Sequence, residues 1–239
     1  MNEFIKKIKS KGYWHVTTRP STYKENRIHS LDRCKEIISS SKVLLRGWDY
    51  PHVDPNGLFI AGNNSIHSSC DWAEGPKFEY WKFYQTGQFV HYFSMREDLR
   101  ISEEKTKEFQ NNYDVTTNRF LSIISTLYSV TEIFEFASHI VADGAFNSPF
   151  EIIIELGNVK DRMLVFWDEW MRDLYRPYVC DFKNENIKIN RVVEKTELIA
   201  RSSDLALEAT LEIFQKFNWN TATKQIFIED QKKFLERRL

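Results

Sequence analysis

Two spacings of apolar side chains run along the chain and predict two kinds of element. Over residues 118–142 the apolar side chains recur every three or four positions, which is typical of a helix packed on a core. Over residues 79–84 and 89–95 apolar and polar side chains alternate, which predicts two strands. The residues between them include Gly87, which can take the positive φ that a tight turn needs. This aromatic segment is therefore predicted to be a β-hairpin.

The remaining patterns predict shorter elements whose order defines the fold class. Strands at 150–156 and 162–167 are predicted to form a second hairpin, and strands at 178–183 and 187–194 a third. The other predicted strands are 13–20, 43–46, 58–61 and a brief one at Leu198, the other helices are 2–11, 24–41, 203–217 and 222–238, and 67–71 is a polar loop. Hairpins grouped between helices indicate an α+β fold, with a largely antiparallel sheet built from hairpins and packed against a long central helix and C-terminal helices. Since no linker interrupts the chain, residues 1–239 are predicted to form a single domain.

The balance of charges and the absence of common motifs exclude several classes of protein. Lys and Arg number 33 against 34 Asp and Glu, a net charge of −1, which argues against binding along duplex nucleic acid by bulk electrostatics. The N-terminus is too polar for a signal peptide, and no apolar run approaches the ~18 residues of a membrane span. Three cysteines without a CxxC pair suit a reducing compartment, so a cytoplasmic protein without membrane contact is predicted. Neither GxGxxG nor a P-loop occurs, and no cofactor is predicted.

The first candidate site combines aromatic rings with polar side chains. Eight rings, counting His91, lie within residues 79–93, and a second aromatic group lies at 46–52. Flat rings beside Arg and Gln suit stacking on a base, with Arg46 available for a phosphate. The residues assigned to this ligand-binding face are Arg46, Trp48, Tyr50, His52, Tyr84, Gln85 and His91, with Tyr80 and Trp81 beside them.

The alternative interpretation of these rings is that they fill the core of the domain. Strand alternation places Tyr80 and Tyr84 on one face of the first strand, and Trp81 and Phe83 on the other. Trp81 and Phe83 are therefore predicted to be core residues. The polar groups of Tyr50, His52 and Gln85 need partners if they are buried.

The second candidate is a metal-dependent nuclease built from strand carboxylates. Glu151 and Glu155 lie four apart and so share one face of a strand. Asp181 and Lys183 have the Asp-x-Lys spacing that projects a metal-binding carboxylate and a charge-stabilising lysine together. The alternative is that the two glutamates form the solvent face of a half-buried strand, which is common for charged side chains.

The third candidate is the short polar sequence at residues 67–71. His67 and Cys70 offer a metal ligand pair or a thiol nucleophile. No second pair with ligand spacing accompanies them, so a structural zinc site is not predicted. A polar loop with an incidental cysteine is the preferred interpretation.

The motifs at residues 46–52 and 80–90 resemble those of a poorly characterised bacterial domain. Its members carry an Arg-Gly-Trp-x-Tyr/Phe-Pro-His box, a Tyr-Trp-x-x-Tyr-Gln-Ser/Thr-Gly-Gln-Phe segment and a helix similar to residues 131–137. The resemblance covers about residues 14–217. It implies an accessory part of ATP-binding or Schlafen-like predicted DNA-binding proteins, some tied to defence against phage. It supplies no catalytic residues, and because the chain has neither an ATPase nor a Schlafen-like segment, it implies a stand-alone version.

These observations favour a non-enzymatic binding or sensing module of a bacterial system. Its aromatic, Arg and His face is predicted to engage a partner protein or a nucleotide-like ligand. The alternative is the nuclease that uses Glu151, Glu155, Asp181 and Lys183. Whether the protein is an enzyme stays open at this level.

Overall fold

Seven strands form one antiparallel sheet, and long helices cover one of its faces. The computed structural model describes residues 3–53, 59–71, 77–147, 149–167, 172–180 and 186–238. The helices are α1 (Glu3–Lys9), α2 (Leu31–Ser41), α3 (Glu97–Arg100), α4 (Glu103–Tyr113), α5 (Ile123–Ala142), α6 (Lys195–Gln215) and α7 (Lys224–Leu235). The strands are β1 (Tyr13–Pro20), β2 (Ile60–Ala61), β3 (Ser65–Asp71), β4 (Phe78–Tyr84), β5 (Phe89–Ser94), β6 (Phe120–Ser122), β7 (Phe150–Gly157), β8 (Met163–Val165) and β9 (Asn186–Val193).

The strand order confirms the predicted α+β fold with an antiparallel sheet. The order is β2-β3-β4-β5-β1-β7-β9, and every neighbouring pair is antiparallel. Helices α2, α5 and α6 lie against the buried face, while α1 contacts β4 and β5. None of the helices in the described ranges is long and apolar enough to cross a membrane.

The aromatic hairpin forms as predicted and divides its rings between the two faces of the sheet. Glu79, Trp81 and Phe83 of β4 are buried, and the residues that alternate with them are only partly buried. The turn is closed by the Gly87 amide, which donates to the carbonyl of Tyr84 at 2.8 Å, and Gly87 has a φ of +86°. The prediction that Trp81 and Phe83 belong to the core is thus confirmed.

Helix α5 is the centre of the core, because it is buried on most of its circumference. Fifteen of its 20 residues are buried, which is typical of a helix enclosed by other elements rather than one with a single apolar stripe. It contacts α2, α6 and α7, and its Phe136 lies 4.7 Å from Phe89 of β5. The predicted start at residue 118 is wrong: Ser122 caps the helix by accepting from the amide of Ser125, and the three residues before Ile123 form β6.

The predicted second and third hairpins are wrong in their partners. Strand β8 pairs in parallel with β6 in a separate two-stranded sheet, and β9 pairs with β7. After β7 the chain turns away through Asn158 and Asp161, which both have positive φ. The side-chain Nδ2 of Asn158 donates to the carbonyls of Lys9 and Lys11, at and just after the end of α1. Of the predicted strand 178–183, Val179 makes one isolated bridge and 181–185 lie outside the described residues. Apolar alternation identifies a strand but not its neighbour.

Four smaller predictions are also corrected. Helix α2 begins at Leu31, because Ser30 accepts from the amide of Arg33 and so caps it there. Predicted strand 43–46 contributes only the bridge between Val43 and Tyr50. The predicted polar loop at 67–71 belongs to strand β3, and Leu198 belongs to helix α6.

A buried arginine, Arg162, and its partner Asp98 link the residue before β1 to helix α3. Arg162 is fully buried, and its Nη1 and Nη2 donate to Asp98 Oδ1 and Oδ2 at 2.6 and 2.5 Å. Its Nη1 also donates to the Phe120 carbonyl, and the Gly12 amide donates to Asp98 Oδ2. A two-pronged contact of this kind is the strongest form of side-chain ion pair. It holds α3 against β6, and this positions Arg96 and Glu97 at the beginning of α3.

Candidate functional site

The loop at residues 46–52 is drawn against the buried face of the sheet by one carboxylate, that of Glu79. Glu79 Oε1 accepts from the amide of His52 at 2.8 Å, and Oε2 accepts from Trp48 Nε1 at 3.2 Å. Lys77 Nζ lies 2.7 Å from Oε2, and His91 Nε2 lies 2.9 Å from Oε1. The His91 contact has the distance of an ion pair without the angle of a hydrogen bond. Glu79 is only 1% exposed, so these contacts replace the hydrogen bonds that water would make to its carboxylate.

A second buried carboxylate, Glu132 of α5, holds the other end of the loop. Arg46 donates to it from two nitrogens, Nε to Oε1 at 2.9 Å and Nη2 to Oε2 at 2.5 Å. Nη2 also reaches Ser129 Oγ at 3.3 Å. The third nitrogen of the guanidinium, Nη1, is buried and has no hydrogen-bond partner among the described residues.

Two ring contacts shape the part of the loop that solvent reaches. Trp48 and His52 stack with ring centroids 4.0 Å apart, and both are partly exposed. Lys77 Nζ lies 5.1 Å from the centroid of Trp48, within the range of a cation–π contact. Asp49 Oδ1 lies 2.7 Å from His52 Nδ1 and fixes the orientation of that ring.

A small cavity with both polar and apolar lining residues lies near the two carboxylate clusters. Its volume is about 30 Å³, and a water-sized group needs roughly 10–15 Å³ by the same kind of measure. Three cationic side chains line it, those of Arg46, Lys77 and Arg96. The hydroxyl groups of Tyr50 and Thr126 also line it, and both are buried without a partner in the described part of the chain.

Burial and charge move the pKa values of the groups around this cavity in different directions. Burial raises the pKa of Glu132 and of Glu97 above the usual range, and the nearby arginines offset this only in part. Burial would also raise the pKa of Glu79, but Lys77, His91 and the His52 amide outweigh it and hold that pKa well below its usual range. Burial lowers the pKa of His91 against the opposing effect of Glu79. Glu79 is therefore the fixed negative charge of the site.

The structure brings together five of the seven predicted ligand-binding residues. Arg46, Trp48, Tyr50, His52 and His91 all lie around Glu79, Glu132 and the cavity. Tyr50 and His91 are buried, with ring centroids 5.0 Å apart, whereas Trp48 and His52 remain partly exposed.

Tyr84 and Gln85, the other two predicted residues, lie elsewhere. Tyr84 is on the opposite face of β4, where Lys82 Nζ lies 4.7 Å from its ring centroid, and Tyr80 shares that face. Gln85 Nε2 donates to the carbonyl of Ile28 at 3.0 Å and so fastens the hairpin turn to the chain before α2. Its polar group has a structural partner, and the sheet separates Tyr84 from the cavity.

The nuclease candidates are described only in part. Glu151 accepts from Arg19 at 2.6 Å and from Asn190 at 3.1 Å on the outer face of the sheet. Glu155 Oε2 lies 3.4 Å from His15 Nδ1 on the same face. Asp181 and Lys183 lie outside the described residues. Within the described ranges no group of three or more His, Cys, Asp or Glu side chains could hold a metal ion, and this includes His67 and Cys70.

Five residues of the site were not predicted from the sequence: Glu79, Lys77, Glu132, Arg96 and Thr126. A signal exists for two of them. Glu79 shares the strand parity of Trp81 and Phe83, so alternation alone places a carboxylate on the buried face. Glu132 interrupts the apolar positions of the long helix. A carboxylate at a core position needs a cationic or hydrogen-bonding partner, which is a signal for a polar cluster.

Comparisons with known proteins were made by family, by sequence and by fold. No protein-family model matches the chain, no curated protein is similar to it, and no solved structure matches it. The resemblance to the bacterial domain stays a prediction. A proposal about function therefore depends on the geometry around Glu79 and Glu132.

Proposed function

We propose that the protein is a binding or sensing module that engages a nucleotide-like ligand through the loop at 46–52. One observation carries this proposal: a cavity with unpaired buried polar atoms lies beside a partly exposed Trp48–His52 stack. Buried polar groups are nearly always hydrogen-bonded in folded proteins, so the groups without protein partners at this cavity are suited to binding a polar group there. An exposed ring pair supplies a surface for a flat group.

The position of Lys77 shows that the cavity is adjacent to the Trp48 ring. Its ammonium lines the cavity, pairs with Glu79 and lies over the face of Trp48. A ligand that enters the cavity with one end is then next to the ring pair with the other. A concave site of this kind favours a small ligand over a flat protein partner.

The wider biological setting is part of the same proposal. A role in a bacterial regulatory or anti-phage assembly is supported by the motif resemblance alone, and a cytoplasmic location by the cysteine pattern. The nuclease alternative has less support, because Glu151 and Glu155 already have Arg19 and His15 as partners.

The test begins with purification from the native host under mild conditions and mass spectrometry of what stays bound. The retained compound, or otherwise a panel of nucleotides and nucleosides, is then titrated into wild type, Trp48→Leu and Tyr84→Leu. Tyr84 is the matched control, since it is also a partly exposed ring but lies on the opposite face of β4. We expect about a tenfold loss of affinity for Trp48→Leu, in line with the stacking contribution of one ring, and no change for Tyr84→Leu. No retained or bound compound, or equal losses in both variants, would overturn the proposal.

A further inference from the structure

Three of the polar side chains that line the cavity between Arg46 and Thr126 can only donate hydrogen bonds, and this restricts what can occupy it. Arg46 Nη1 can only donate, as can the ammonium of Lys77 and the guanidinium of Arg96. The hydroxyl groups of Tyr50 and Thr126 can donate or accept. A group that only accepts, with several oxygens, would satisfy all of them together. A single water accepts at most two hydrogen bonds, so it leaves donors unpaired.

The unpaired hydroxyl groups belong to buried residues, whereas two of the cationic side chains are partly exposed. Tyr50 is 2% exposed and Thr126 is 1% exposed, and neither hydroxyl has a hydrogen-bond partner in the described ranges. The side chains of Arg46 and Lys77 are 21% and 22% exposed. Two of the cations are therefore open to solvent, where they can attract an anion toward the buried hydroxyls.

Arg96 supplies a positive charge that has no ion-pair partner in the described part of the chain. Arg46 is paired with Glu132 and Lys77 with Glu79, but no carboxylate lies within ion-pair distance of Arg96 in the described chain. Glu97 also lines the cavity, and its Oε1 accepts from the amide of Ser122. Burial raises the pKa of Glu97, and the Ser122 amide and the charges of Arg162 and Arg96 oppose that rise.

The first turn of α5 adds a further attraction for negative charge. Ser125 and Thr126 belong to that turn, and both line the cavity. The beginning of a helix carries a partial positive charge, because its first amides have no partners within the helix. This effect accompanies the unpaired hydroxyl of Thr126 and would not by itself define a site.

We propose that this cavity binds a phosphoryl group, either as inorganic phosphate or as the phosphate of a nucleotide whose base stacks beside Trp48. The inference rests on the proposed binding function and names the part of the ligand that enters the cavity. The donors come from three separate segments: Arg46 from the loop, Lys77 from the residue before β4, and Thr126 from α5. That arrangement suits the tetrahedral oxygens of a phosphoryl group better than the two coplanar oxygens of a carboxylate. A cavity of about 30 Å³ has room for a group larger than one water molecule.

The experiment titrates inorganic phosphate, acetate, adenosine monophosphate and adenosine into the protein by calorimetry at constant ionic strength. We expect binding of phosphate and of the monophosphate, and at least tenfold weaker binding of acetate and adenosine. Arg96→Gln should weaken phosphate binding about tenfold or more, because it removes a charged donor. Arg100→Gln is the matched control, since Arg100 ends the same short helix, is exposed and does not line the cavity.

Thr126→Val separates a ligand-binding role from a structural one. The substitution replaces an unpaired buried hydroxyl by a methyl group of similar shape, so the free protein should keep or slightly raise its melting temperature. The increase in melting temperature that phosphate causes in the wild type should be reduced. A lower melting temperature without phosphate would show that the hydroxyl has a partner in the fold, which contradicts the inference.

The remaining outcomes distinguish the inference from the proposed function. If phosphate does not bind at about 10 mM, or if adenosine binds as tightly as the monophosphate, the phosphoryl site is refuted and the binding function stands. If acetate binds as well as phosphate, the cavity takes a carboxylate and the inference is wrong. If none of these compounds binds and no compound is retained from the host, both the phosphoryl site and the proposed binding function are refuted.

Discussion

Replacement of Glu79 by glutamine is the sharpest test of how the site is held together. The change keeps the size of the side chain and converts one accepting oxygen into a donating amide group. Oε1 accepts from the His52 amide and lies beside His91, while Oε2 accepts from Trp48 and lies beside Lys77. Whichever way the amide turns, its NH₂ group faces at least one donor: the His52 amide on one side, or Trp48 Nε1 and the Lys77 ammonium on the other.

The size of the effect follows from these contacts. A hydrogen bond to a charged group contributes about 1.5–3 kcal/mol, so the loss of two costs about 3–6 kcal/mol. Removal of one partner from a buried ion pair costs about 3–5 kcal/mol. The Lys77 side chain is 22% exposed and can turn toward water, so the new NH₂ group should face that side. We therefore expect a decrease of about 3 kcal/mol in the free energy of unfolding.

Urea denaturation followed by circular dichroism measures this change as a shift in midpoint at constant slope. Thermal denaturation should show a decrease of about 6–12 °C for a chain of this length. Glu25→Gln is the control, because Glu25 is exposed in a turn and should change the stability by less than about 0.5 kcal/mol. A change below about 1 kcal/mol for Glu79→Gln would refute the view that Glu79 fixes the loop.

Two further predictions concern the frame around the site. Burial would raise the pKa of Asp98, but its hydrogen bonds with Arg162 outweigh this and hold the pKa below its usual range. This stabilisation is present above the unfolded pKa of about 3.9 and is lost as the pH falls through the folded value. Acid denaturation below about pH 4 should therefore be steeper for wild type than for Asp98→Asn, and equal slopes would contradict the assignment. Gly87→Ala should cost about 1–3 kcal/mol, since Gly87 has a φ of +86° and a Cβ would lie 2.6 Å from Phe146. In the same urea assay Gly144→Ala, where a Cβ meets nothing within 4 Å, should cost less than Gly87→Ala, and similar costs would refute the role of the turn.

The parts of the fold that depend on local pattern could be predicted from the sequence. Strand β1, the aromatic hairpin and most of α5 follow from periodicity and turn chemistry over a few residues. The partners of β8 and β9 could not be predicted, because a strand's apolar face does not name the strand that lies beside it. Strand β3 was missed since its polar composition hides a buried face at Ile66 and Ser68.

The types of residue at the candidate site could be predicted from the sequence, but only some of the individual residues could. The box at 46–52 and His91 were identified because rings beside Arg and His are unusual in a plain core. Tyr84 and Gln85 were grouped with them by sequence proximity, yet the sheet places Tyr84 on its other face and Gln85 bonds to Ile28. Arg96 and Thr126 carry no signal, because an arginine before a short helix and a threonine in an apolar helix are both common.

The sequence by itself determined the α+β class, the aromatic hairpin, the central helix and the division of rings between two strand faces. These depend on the period of the side chains and on turn residues, which act over short distances. Only the tertiary structure decided that Glu79 and Glu132 accept hydrogen bonds from the two ends of the loop at 46–52. It also decided that Tyr50 and Thr126 line the same cavity. Residues 53 and 76 positions apart in the chain become neighbours only when burial of the core brings strand, loop and helix together, and local spacing contains no record of that contact.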